Sequence, residues 1–106
     1  MIEDMNKATA RKIRIIMNNC FNVYSKLKII HKDGSTIEGY FCKLDVKAVI
    51  ISDTKGLFLR APTKIYLCKE IDHSLPNPRP DIEPIDFNEI KEIYCDDKKY
   101  DVEIEY

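Results

Sequence analysis

Cations are the residues of this chain whose spacing comes nearest to a chemical purpose. Lys7, Arg11, Lys12 and Arg14 follow one another with no acidic residue between them. On a helix they would form a cationic face suited to phosphate, or simply the solvated outer face of a helix packed on a β-structure. The net charge of −1 hides an asymmetry: residues 1–80 carry 14 Lys and Arg against 8 Asp and Glu, and residues 81–106 carry 3 against 10. A basic and an acidic surface could result, unless the two halves interleave.

The other reactive types point away from catalysis. Cys20, Cys42, Cys68 and Cys95 are widely spaced, with no close pair of the kind a structural zinc recruits. Each sits in an apolar stretch, so they read as small buried hydrophobes, reduced in a reducing compartment. His31 and His73 are the only histidines, and neither lies beside a cysteine in sequence. The carboxylates after residue 81 alternate with apolar residues, as solvent-facing strand positions do. No phosphate loop or dinucleotide fingerprint occurs. The expectation is a protein that is not an enzyme and uses no cofactor or metal.

Length and composition set the frame for these groups. The 106 residues, 44% apolar and 33% charged, suit one soluble domain with a modest core. No apolar run approaches the roughly 20 residues of a membrane span. The N-terminus lacks the uninterrupted apolar segment of a signal peptide, so the expected location is cytoplasmic.

Periodicity then assigns the elements. Ile13, Ile16, Met17 and Cys20 make one apolar helical stripe, predicting a helix over residues 4–20 with Asp4 as its cap. From residue 23 the period changes to that of strands. Strand one spans residues 23–32, and Asp33-Gly34 makes a tight turn. Strand two spans residues 36–43, with Gly39 marking a bend or a close backbone approach. The chain is expected to reverse at Leu44-Asp45 and return as a strand over residues 48–52. After a turn at residues 53–56, a short strand over 57–60 breaks at Ala61-Pro62 and a longer one covers 64–71. Four of the five prolines fall in residues 74–84, a stiff extended loop. Two short strands around Asn88-Glu89, a turn at residues 96–99 and an alternating acidic edge strand complete the chain.

The order of these elements, one helix and then short bent strands, resembles the Sm-like family of small barrels. Gly34, Ile37, Gly39, Phe41, Asp45 and the apolar run 48–51 match its first motif. Asn88, Ile90 and Ile93 match its second. The resemblance covers about residues 5–53 and 82–95. It implies a mainly β fold, a strongly bent SH3-like barrel with an N-terminal α-helix, forming one domain over residues 1–106. It further implies RNA or a small nucleotide as ligand, and a homo-oligomer. Where such proteins read and stack on a base, this chain has Val49, Lys47, Asp86 and Phe87. Binding by charge is then expected, through Lys43 and Lys47 at the reversal and Asn88 in the opposing loop, with Lys55 and Arg60 beside them. The competing expectation is a small regulator or inhibitor that docks on a protein partner through the proline loop, Arg79, Tyr100 and Tyr106.

Overall fold

The helical stripe and the alternating segments become nine elements in a computed structural model, which describes residues 4–102. In chain order they are β1 (Asp4–Met5), α1 (Lys7–Cys20), β2 (Lys26–His31), β3 (Thr36–Ile51), β4 (Phe58–Cys68), β5 (Ile85–Asp86), a 3-10 helix (Phe87–Glu89), β6 (Ile90–Cys95) and β7 (Lys98–Asp101). The protein is mainly β, with one N-terminal helix and a bent antiparallel sheet of the small-barrel kind. Strand order is β5-β4-β3-β2-β6-β7, with β1 added in parallel beside β3. The chain leaves the sheet at β5 and re-enters at β6 through the 3-10 helix, which carries Phe87 across the gap and fully buries it. That crossing closes the apolar interior, since β5 and β6 lie on opposite flanks of the β4-β3-β2 centre.

Two cores result. The larger one holds Leu27, Ile29, Phe41, Ile65, Leu67, Phe87, Ile90 and Ile93, with Ile16 and Cys20 from the end of α1. The smaller one joins Met5, Ala10 and Ile13 to Val49, Ile51, Leu59 and Ala61. Helix α1 therefore buries its predicted stripe against both, with Met17 half-buried.

Several boundaries differ from the sequence reading. The helix begins at Lys7, not Asp4: Asn6 is the cap, its side chain accepting the Thr9 amide at 2.8 Å. Asp4 is held instead in β1, opposite Ile50. No reversal occurs at Leu44-Asp45. Strand β3 runs unbroken for 16 residues, and register shifts at residues 41–43 and 45–46 supply the bend expected of a turn. Leu44 is anchored in the larger core, and Asp45 accepts the Tyr66 hydroxyl at 2.7 Å. The true reversal is the turn after Ile51, where Asp53 (φ 59°) and Gly56 (φ 79°) take left-handed conformations. Strand β4 likewise runs through Ala61-Pro62. Pro62 is tolerated because it falls beside the register shift that leaves Thr63 as an extra residue, and β5 pairs only farther along, at Lys64 and Ile65. The same strand ends at Cys68, short of residue 71. At the other end, the last hairpin turns on Asp96 and Asp97, so Lys98 and Lys99 belong to β7.

Gly39 is the close approach that its place in a strand suggested. A Cβ there would stand 2.9 Å from Ile82 Cδ1 and 3.1 Å from the Cys68 carbonyl oxygen. Ile82 belongs to the proline-rich segment, which is tied down: the Asp81 and Ile82 amides donate to the Leu67 carbonyl, and Asp81 accepts the Lys69 amide at 2.7 Å.

Candidate nucleic-acid interface

The first half of α1 breaks a local rule. A helix favours carboxylates in its first turn and cations in its last, because its dipole is positive at the N-terminus. Here the first turn holds no acid and the last turn holds no base; Lys7 stands in the first turn, and Arg11, Lys12 and Arg14 follow toward the middle of the helix. Lys7, Arg11 and Arg14 are exposed and spaced four and three apart, so they form one stripe. Nothing in the packing requires this arrangement, and its electrostatic effect is to concentrate positive potential.

Beside that stripe lies a groove of about 340 Å³ between α1 and β7, lined by Ala8, Arg11, Lys12, Ile15, Lys99 and Tyr100 among others. Ile15 is 47% exposed and gives the groove an apolar wall. Tyr100 packs one side against the larger core and has Lys98 Nζ 5.4 Å from its ring centroid. Lys99 is fixed by Glu92 at 3.2 Å and Asp101 at 3.8 Å. The hydrogen bond from Lys99 to Glu92 raises its pKa, so it stays charged. An aromatic ring, an apolar wall, three cations and the Asp101 carboxylate thus meet in a space the size of one nucleotide.

The residues singled out in the sequence are dispersed. Lys43 lies over the Tyr66 ring, 4.7 Å from its centroid. That ring's hydroxyl is held by Asp45, whose hydrogen bond raises the Tyr66 pKa. Lys47 is half-buried opposite Ala61, on the face of β3 that α1 covers through Val49. Arg60 stands opposite Ala48 on the other face, because neighbours along a strand alternate. Lys55 is in the β3–β4 turn, exposed. Asn88 belongs to the 3-10 helix rather than an open loop and borders a separate groove with His31, Lys32, Asp33 and Glu89. The expected grouping of Lys43 and Lys47 at a strand reversal is overturned with the reversal itself. Asp86 has a structural duty, since its carboxylate caps the 3-10 helix by accepting the Asn88 amide at 3.0 Å. Arg79 is exposed and borders a groove with Tyr24, Asp72 and Pro78. Of the two tyrosines, Tyr100 enters the α1–β7 groove, while Tyr106 lies outside the described residues.

Sequence reasoning could see the cations of α1 but not Tyr100 beside them, which is more than eighty positions away in the chain. The run of four cations with no acid between them was the available signal.

The charge asymmetry also has a place in the fold. The stretches 4–22 and 43–66, which form α1 and the far part of the β3–β4 hairpin, hold nine Lys and Arg against three Asp and Glu. The remaining described residues hold eight against twelve. The hairpin also carries an uncovered apolar strip: Phe58 and Leu57 are each 61% exposed and Val46 is 43% exposed. Leu44 shares its strand face with Val46, Ala48 and Ile50, so this face is core at one end and emerges unpartnered at the other.

Among the described residues no helix is long and apolar enough to cross a membrane. Compared with models of known families, with curated proteins and with solved structures, the chain matches none of them.

Proposed function

We propose that this chain is a non-enzymatic binding protein for RNA or a nucleotide, Sm-like in its barrel, with α1 and β7 as its binding surface. The observation that carries the reading is the set of cations along α1, of which Arg11 and Lys12 line the Tyr100 groove. Phosphates would lie along Lys7, Arg11 and Arg14, and a base would stack on Tyr100. Backbone charge supplies affinity and salt sensitivity, and stacking adds about 1–3 kcal/mol per base without reading sequence. This arrangement needs none of the base-edge contacts whose positions are occupied by Val49, Asp86 and Phe87.

Titration of a labelled single-stranded RNA at several salt concentrations tests it. Tyr100→Ala is expected to weaken binding by about tenfold or more while leaving the salt slope unchanged, as loss of a stacking platform does. Unaltered affinity would remove Tyr100 from the site.

Docking to a protein is the second reading, favoured by the uncovered strip of the hairpin. Its charge surroundings specify the partner: an apolar surface rimmed by carboxylates, facing Arg60 and Phe58. A second copy is the occupant that the family resemblance implies, since it implies a homo-oligomer. Native mass spectrometry is expected to show an oligomer that Phe58→Ser dissociates. A wild-type monomer at high concentration would refute it.

A further inference from the structure

Four cysteines can pair in three ways, and their spacing in sequence favours none of them. In the fold they meet two by two. Cys68 lies directly across from Tyr40, and Cys42 is two residues farther along β3, at the register shift. Both thiols donate to the same acceptor, the Tyr40 carbonyl oxygen, at 3.8 Å from Cys42 and 3.6 Å from Cys68. That shared acceptor brings the two sulfurs to one point between β3 and β4. At the other end of the larger core, Cys20 closes α1 and Cys95 closes β6. The Cys95 thiol donates at 3.5 Å to the carbonyl of Asn19, the residue next to Cys20, and both cysteines are buried in the larger core. All four are free and buried.

We propose that these are two dithiol centres, Cys42 with Cys68 and Cys20 with Cys95, each of which a peroxide converts to an intramolecular disulfide. The inference is independent of the binding function proposed above. In each centre one thiol loses its proton, and the thiolate attacks a peroxide oxygen. The O–O bond breaks, and the departing hydroxide takes a proton to become water, leaving a sulfenic acid. The neighbouring sulfur, giving up its own proton, attacks the sulfenic sulfur, and a second water leaves as the S–S bond forms. Two thiols lose two electrons, and the peroxide is reduced to two waters.

Burial shapes both selectivity and rate. At most 6% of any of these residues is exposed, so a bulky external thiol is excluded while the neighbouring one shares the same buried site. In the second centre burial, with the Asp96 carboxylate adding to it, also raises the Cys95 thiol above its ordinary value. Burial pushes the Cys20 and Cys42 thiols up to about 12, so thiolate is scarce at neutral pH and oxidation is slow. The rate should rise roughly tenfold per pH unit below that value.

The test treats the native full-length protein with hydrogen peroxide at pH 7 and pH 9, alkylates remaining thiols, and maps disulfides by mass spectrometry of the digest. The expected result is the two named bonds, formed faster at pH 9, with an intact mass lower by two hydrogens for each bond. Cys42→Ser should abolish the bond to Cys68 and spare Cys20–Cys95, and Cys95→Ser should do the reverse. The wild-type map decides the matter even where a variant folds poorly. Crossed pairings, sulfinic acids in place of disulfides, intermolecular bonds, or four free thiols after treatment at pH 9 would each overturn the assignment.

Discussion

Replacing Arg11 and Arg14 together by glutamate is expected to weaken RNA binding by about one to two orders of magnitude near physiological salt. The size follows from phosphate electrostatics. Each neutralised phosphate on a single strand contributes about −0.7 to the slope of log affinity against log salt. Losing two such contacts should flatten that slope by about 1.4, and the introduced carboxylates add repulsion. Both residues are exposed, so the fold should survive. Both lie beyond the first turn of α1, so the helix dipole leaves the stability of the variant nearly unchanged. Arg60→Glu is the control, since Arg60 projects from the hairpin face opposite the one α1 covers. Affinity lost equally in the control would indicate a diffuse effect of net charge. Affinity retained in the Arg11/Arg14 variant would refute the α1 surface outright. Fluorescence anisotropy for binding and thermal unfolding for stability separate these outcomes.

Phe87→Ala carries the largest expected effect on stability, about 3–5 kcal/mol. Phe87 is 1% exposed, at the point where the chain crosses between the flanks of the sheet. Removing its ring leaves a cavity among Ile65, Ile85 and Ile90, members of the same core. A domain of this size has only about 5–15 kcal/mol in hand, so the variant should be partly unfolded at moderate temperature. Urea denaturation followed by circular dichroism reads the loss directly. A change below about 1 kcal/mol would mean that Phe87 is not a structural residue. The same experiment bears on the family resemblance, in which this position belongs to a binding pocket. A residue buried this deeply stacks on no base.

Elements bounded by strong local chemistry were legible in the chain itself. The stripe Ile13, Ile16, Met17 and Cys20 specified α1, and Asp33-Gly34 specified a hairpin, with Gly34 at a φ of 91°. Gly39 announced the close approach that Ile82 makes. These features depend on residues a few positions apart, whose periodicity or backbone freedom needs no distant partner. Where the strand bends, the same reasoning placed a break. Leu44-Asp45 and Ala61-Pro62 look like interruptions because register shifts have no residue signature, and the strand partner that makes a bend tolerable is supplied from elsewhere. The spatial arrangement of the candidate site residues was hidden for a related reason. Without the reversal Lys43 and Lys47 stand four residues apart along one strand, while Arg60 lies on β4 facing the other side and Asn88 lies in the 3-10 helix.

Composition and spacing by themselves determined a mainly β protein led by a helix, with cations early and carboxylates late. Tertiary structure alone decided that α1 lies beside β7, so that Arg11 and Tyr100 share a groove, and that four scattered cysteines meet as two pairs. Both are contacts between residues far apart in sequence. They follow from how two cores are filled at once, a condition on the whole chain that no short stretch of it carries.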